Sequence, residues 1–260
     1  MMHAGDPDRA TGHRRQAHRP VREDGGMSST WSAVLPVKRL SAGKSRLRGA
    51  VPRTPHRDLA LAVALDTVAA VAACPLVHRL VVVTDDPLVR AATTALGAQV
   101  VPDPPTPTLN AAFTTGATFT LPPPTARAGP DEGQPDGARP VEPWPVDGTP
   151  AVGVVALTAD LPALRPDELA AALRAAEAYP RSFVPDAEGT GTTLLAVRGV
   201  PLDPRFGPGS AAAHAASGAA RLAGAWPSLR RDVDTPANLT EAAMLGLGPR
   251  TGHLLSARSA

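Results

Sequence analysis

The stretch RDLALAVALDTVAAVAACPLVHRLVVVTDD (57–86) decides the fold class. Its first part, 57–73, is rich in Ala and Leu, residues with strong helix propensity, and is apolar all round, which predicts a buried helix. Its last part, HRLVVVTDD (78–86), is a β-branched run closed by Asp-Asp-Pro, which predicts a strand with a loop at its C-terminal end. Upstream, SAVLPV (32–37) is a short apolar strand that runs into a basic loop, KRLSAGKSRLRG (38–49). Downstream, 87–96 reads as a helix stopped by Gly97, and AQVVPD (98–103) as a third strand. Strand, helix, strand, helix, strand with short connections is the signature of a parallel sheet, and strands this apolar require helices on both faces.

The pattern resumes with VGVVALTAD (152–160), a buried strand ending in a carboxylate. A helix follows from about 165 to 179, then strands SFVPD (182–186) and TTLLAV (192–197). A helix is predicted over GSAAAHAASGAARLAG (209–224), and a last one over 235–246, with Thr235 as N-cap and Pro236 in its first turn. The segment 1–29 has mixed charge and almost no large apolar residues, so disorder is expected there. The Pro-, Gly- and acid-rich stretch 121–150 reads as a flexible insert within a single domain over 30–251, with 252–260 as a tail.

With 260 residues, 43% hydrophobic and 19% charged, the chain has the composition of a soluble globular protein. A net charge of +2 makes no case for nucleic acid or membrane partners. No apolar run approaches the ~18 residues of a membrane span, and the N-terminus lacks a signal-peptide core. A single cysteine, Cys74, excludes an internal disulfide, fits a cytoplasmic location and is expected to be a buried structural thiol.

In an open parallel sheet the C-terminal ends of the strands meet along one edge, where ligands bind. Three groups of residues are expected there. The basic loop carries Lys38, Arg39, Lys44, Ser45, Arg46 and Arg48 and suits a polyphosphate; a solvated turn is the competing reading. Its GKS (43–45) is not a phosphate-binding glycine loop, because Lys38 occupies the place of the required first glycine. Asp160, with Asp232 and Asp234 in RRDVDTP, would form an oxygen-rich site for Mg²⁺, since alternate residues of an extended chain share a side. Pairing of Asp232 with Arg230 or Arg231, and capping of the last helix by Asp234, is the competing reading. GTGTT (189–193) and FGPGS (206–210) offer Thr192, Gly207, Gly209 and Ser210 for a small phosphate or carboxylate, or equally a turn and an N-cap. His214, one turn beyond Ser210, is expected to be structural or solvent-facing.

Taken together, LPVKRLSAGKSRL, VVVTDD, LNAAF, TADLPAL, GTGTTLL, FGPGSAAAH and RRDVDTPANL, in this order, resemble the phosphoenolpyruvate/2-phospho-L-lactate guanylyltransferases of coenzyme F-420 biosynthesis. The resemblance spans roughly residues 31–251 outside the insert. It implies a single-domain α/β fold of the nucleotide-diphospho-sugar-transferase (GT-A-like) kind, a mixed, mostly parallel sheet flanked by helices. It also implies transfer of GMP from GTP to a phosphorylated acid with release of pyrophosphate, Mg²⁺ as cofactor, and a homodimer. By the same resemblance Thr192, Gly207 and Ser210 match the phosphoenolpyruvate-binding positions, and Asp160, Asp232 and Asp234 the metal-associated ones. Lys38, Lys44 and Arg46 match the triphosphate loop, and Asp85 and Asn110 positions near the nucleoside; Asp160, Lys38, Lys44 and Arg46 are the expected catalytic set. The acceptor implied is phosphoenolpyruvate, with 2-phospho-L-lactate, 3-phosphoglycerate, or the substrates of related sugar-phosphate and molybdopterin transferases as alternatives. Two positions depart from the family pattern: DPPTPTLN lacks the usual glycine before Asn110, and Thr193 stands where Asn is usual.

Overall fold

A computed structural model of the chain describes residues 30–40, 47, 50–51, 54–120 and 152–256. The segments 1–29 and 121–150, expected to be disordered, lie outside the described residues.

Seven strands form one sheet: β1 (Trp31–Pro36), β2 (Val77–Val83), β3 (Gln99–Val101), β4 (Gly153–Leu157), β5 (Arg181–Pro185), β6 (Thr192–Val197) and β7 (Ala220–Arg221), in the order β3-β2-β1-β4-β6-β5-β7. All pairings are parallel except those that β6 makes with β4 and β5, so the sheet is mixed but mostly parallel, as expected. The helices are α1 (His56–Ala72), α2 (Pro87–Ala95), α3 (Leu109–Thr118), α4 (Pro166–Ala176), α5 (Ser210–Ala216), α6 (Pro227–Arg230), α7 (Pro236–Leu245) and α8 (Pro249–Ser256).

β1, β4 and β6 are buried along their whole length, which is why they read as continuous apolar runs rather than alternating ones. One core cluster joins Leu35, Val82, Val155 and Leu194 to α1 and α4 through Val68, Val71, Leu169 and Leu173. The other face joins Val34, Val81, Ala156 and Leu195 to Phe113 of α3. Helix α3 lies close on the sheet at Gly116, where an added Cβ would collide with Val34 and Val83. Cys74 is buried, and burial raises its thiol pKa, as a structural cysteine requires.

Three stretches differ from the sequence reading. α3 is an additional helix, started by Thr108, whose side chain accepts the Ala111 N–H. The helix expected over 209–224 stops after Ala216, because the chain turns through Gly218 at φ +86° and residues 220–221 pair with β5. The expected tail begins inside α8, which packs on α1: the buried Asp66 carboxylate accepts the N–H groups of Arg250 (3.1 Å) and Thr251 (2.7 Å).

Candidate active site

The strand order reverses between β1 and β4: β2 and β3 lie to one side, and β6, β5 and β7 to the other. The ends of these two strands form the crevice where an open α/β sheet takes its ligand. Lys38 follows β1 there and Asp160 follows β4.

The start of the basic loop is tied down by backbone. Val37 N–H donates to Val83 O (2.9 Å), and Leu40 N–H donates to Asp86 Oδ2 (3.0 Å). Asp86 also caps α2 by accepting the N–H of Leu88 (3.0 Å). Burial works against its charge, but the N–H donors of Leu40, Val89 and Leu88 prevail and hold its pKa below the usual carboxylate value. Of the Asp85–Asp86 pair, Asp86 is therefore structural and Asp85 is left to the cavity.

Two adjoining cavities open at this edge, of about 370 and 430 Å³, sharing Pro36, Lys38 and Leu109 in their walls. The first is lined by Thr158, Asp160 and Asp234 beside Lys38. The second is lined by Arg39, Asp85, Asp103 and Thr108 beside Lys38. Asp85 accepts the Asp103 N–H (3.2 Å) and stands 4.0 Å from the Arg39 guanidinium. Burial, and then the neighbouring Asp85, raise the Asp103 pKa.

The acidic residues divide between two places. Val233 N–H donates to Asp160 O (3.0 Å), docking the RRDVD turn against the end of β4 and bringing Asp234 into the cavity with Asp160. Asp232 instead brings a carboxylate oxygen to those of Asp186 and Glu188, all within 4.8 Å of one another. Among the described residues this is the one trio of possible metal ligands so closely spaced. Residues 231–233 are not a strand, so the expected same-side projection of Asp232 and Asp234 has no sheet to enforce it.

On the other wall, β6 runs antiparallel to β4, which places its first residue, Thr192, at the binding edge. Thr158 N–H donates to Thr193 O (3.1 Å) across this junction. Thr192 is buried, and its hydroxyl lies 2.9 Å from His214 Nδ1. Ala211 N–H donates to Thr190 O (3.1 Å), joining the start of α5 to the GTGTT loop. Ser210 is buried at the first position of α5, its N–H on Gly207 O (3.1 Å). Gly207 and Gly209 have φ of +137° and +70°, and a Cβ at either would meet nothing within 4 Å. Backbone conformation, not crowding by protein, is thus what demands glycine in this loop. Asn110 grips the same loop: Nδ2 donates to Phe206 O (3.1 Å) while Oδ1 accepts Phe206 N–H (2.8 Å). The Phe206 ring stacks on Phe113 at 4.3 Å.

No family model matches the chain. Its sequence is 56% identical over 231 residues to the phosphoenolpyruvate guanylyltransferase of Salinispora arenicola, covering 88% of this chain and 94% of that one. It is 49% identical over 230 residues to the enzyme of the same name from Geodermatophilus obscurus, covering 86% and 94%. The chain belongs to the phosphoenolpyruvate guanylyltransferase family. It is a nucleotidyltransferase. A looser likeness in chain path relates it to CMP:2-keto-3-deoxy-manno-octonic acid synthetase complexed with CTP, at 16% identity and a TM-score of 0.47, over 84% of this chain and 98% of that one.

Within this guanylyltransferase chain the structure gathers Lys38, Asp160 and Asp234 about one cavity and Asp85 about the next, and sets Thr192 at the start of β6, Ser210 at the start of α5 and Gly207 on the loop that leads into α5. Asn110 acts on the Phe206 backbone, so any part it plays near a nucleoside passes through that loop. Lys44 and Arg46 lie outside the described residues. Sequence reasoning passed over Asp103 and the Thr192–His214 contact. Asp103 had a signal, a carboxylate closing a strand, as Asp160 does; the histidine contact spans 22 positions and had none.

Proposed function

We propose that the protein transfers GMP from GTP to phosphoenolpyruvate, forming enolpyruvoyl-2-diphospho-5'-guanosine and pyrophosphate in coenzyme F-420 biosynthesis. The observation that carries this reading is the placement of Lys38, Asp160 and Asp234 around one cavity at the strand-order reversal. The names of the relatives support the guanylyl donor and the acceptor.

In the reaction an oxygen of the acceptor phosphate attacks the α-phosphorus of GTP, and the bond to the β-phosphate oxygen breaks. A phosphate monoester has its second pKa near ~6, so the nucleophile is already ionised at pH 7 and needs no general base. The difficulty is bringing two anions together. Lys38, with Lys44 and Arg46, offsets that repulsion and stabilises charge on the departing pyrophosphate. Asp160 and Asp234 would hold Mg²⁺; Asp232, whose carboxylate lies with those of Asp186 and Glu188, would join them as third ligand only by turning towards the cavity. Hard carboxylate oxygens in a cavity with room for phosphates suit that ion. When bound, it supplies Lewis-acid stabilisation of the phosphoryl oxygens. Asp85 and Asp103 line the adjoining cavity, where carboxylates match the paired N–H donors on the edge of guanine. Thr192, Ser210 and the Gly207 loop receive the acceptor.

Incubation with GTP, Mg²⁺ and, separately, phosphoenolpyruvate, 2-phospho-L-lactate or 3-phosphoglycerate tests this through pyrophosphate release. Release is expected with phosphoenolpyruvate. Release that requires a sugar phosphate, or a nucleotide other than GTP, would overturn it.

A further inference from the structure

We propose that His214 is a positioning residue that keeps the Thr192 hydroxyl as a hydrogen-bond donor, so that the acceptor site presents a proton to an accepting oxygen of the phosphorylated acid at that point. The proposal rests on Thr192 belonging to the acceptor site.

It follows from the partners of the two ring nitrogens. His214, a residue of α5, is fully buried. Its Nε2 lies 2.9 Å from the backbone nitrogen of Arg205, which has only a proton to offer. Nε2 must therefore be the acceptor and carry no hydrogen. Burial, assisted by Arg205 and Arg181 and opposed by Asp203 and by a hydrogen bond to the Ser210 backbone, pushes the ring pKa down to about 4, so the imidazole is neutral at pH 7. Its single N–H is then on Nδ1, 2.9 Å from Thr192 Oγ1. Nδ1–H donates to the hydroxyl, and the hydroxyl proton must point elsewhere. Among the described residues Thr192 Oγ1 has no other hydrogen-bond partner. The hydroxyl is left as a donor directed away from the ring, on the residue that begins β6. A carboxylate or phosphate oxygen, which can only accept, satisfies it; a group that offers only N–H leaves its proton unpaired.

The ring has a second effect through the same geometry. By accepting the Arg205 N–H, it holds the backbone next to Phe206, which Asn110 grips from α3. Phe206 also meets the His214 ring edge-on, with centroids 5.2 Å apart. The loop ahead of Gly207 and the Thr192 hydroxyl are thus set by one imidazole.

Three variants and one spectroscopic measurement test this. Thr192→Val is expected to raise KM for the phosphorylated acid about tenfold or more with KM for GTP unchanged, the size of a lost hydrogen bond to a charged group. His214→Gln can still accept from Arg205 but places no donor at the Nδ1 position, and should produce the same selective rise. His214→Asn places an amide N–H at that position and should recover most of the affinity lost in His214→Gln. Histidine ¹⁵N NMR of the unaltered protein should find the proton on Nδ1, independently of whether any variant folds. If Thr192→Val leaves the acceptor KM unchanged, the acceptor-site reading fails. If it raises that KM but His214→Gln does not, or the two His214 variants behave alike, or the proton is on Nε2, the positioning role fails.

Discussion

Two groups of carboxylates draw on the same RRDVD turn in this molecule, and the more crowded one is the less promising as a catalytic centre. Asp186, Glu188 and Asp232 bring their oxygens within 4.8 Å. Much of that charge is spent inside the protein. Asp186 accepts the N–H groups of Thr190 (2.9 Å) and Gly191 (2.7 Å), closing the turn between β5 and β6. Glu188 is bound to Arg231, whose hydrogen bond is the main cause holding its pKa below the usual value; Arg231 also reaches Glu241. Asp160 and Asp234 are a sparser group, but they share a cavity of about 370 Å³ with Lys38 at the strand-order reversal. Density of acid is a poor guide to function. What distinguishes Asp160 and Asp234 is that they line a cavity that a ligand can enter.

Substitution should separate the two groups. Asp160→Asn removes a cavity carboxylate while keeping its shape. It should lower kcat by about 10²–10³-fold or more with little change in Tm, measured by pyrophosphate release and thermal unfolding. Near-normal turnover would remove the cavity from consideration.

Acid should reveal a stability term that belongs to neither group. The folded pKa of His214, about 4, lies below the ~6.5 of an unfolded chain. Between those values the unfolded state binds a proton that the folded state refuses. Stability from this residue is complete above pH ~6.5 and lost as pH falls towards 4, by about 3 kcal/mol. Urea unfolding at pH 7, 5.5 and 4 should show a shallower loss in His214→Gln than in the unaltered protein. A loss confined to pH below 4 in both would assign the acid sensitivity to carboxylates such as Glu188 instead.

Asp186→Asn should behave oppositely to Asp160→Asn. Weakening two charged turn hydrogen bonds should cost about 1–3 kcal/mol of stability while kcat stays within a few-fold. Asp232→Asn tests the residue that stands between the groups. On the proposed assignment it should raise the Mg²⁺ concentration for half-maximal rate about tenfold, worth roughly 1.4 kcal/mol. A lowered Tm with unchanged Mg²⁺ dependence would place Asp232 with Asp186 and Glu188. The smallest effect is expected from Arg165→Ala. It breaks the exposed Arg165–Asp167 pair, and Tm should move by no more than the ~0.5 kcal/mol typical of surface charges.

Much of the fold was legible in local pattern. β2, α2, β6 and α7 fall within a residue or two of their expected bounds because each is delimited by strong local signals: a β-branched run, Gly97, or the Thr235-Pro236 start. Helix α3 was missed because LNAAFTTGAT mixes small, polar and β-branched residues, and its place is set by packing of Phe113 and Gly116 on the sheet. The short α5 was overextended because alanine favours helix wherever it stands, whereas pairing of residues 220–221 with β5 is a long-range contact.

For the site, the types of group required were evident from the chain alone: cations after the first strand, carboxylates after later ones, and glycines where φ must be positive. These follow from local chemistry and from the rule that parallel strands present their C-terminal ends together. Only the tertiary structure decided how they sort. It sent Asp86 inward and left Asp85 on the cavity, divided Asp232 from Asp234, closed Asn110 on Phe206 across 96 positions and set His214 against Thr192. The reason is physical. A residue's identity fixes what it can donate or accept, but its partner is the nearest group in space, and burial makes that partner obligatory.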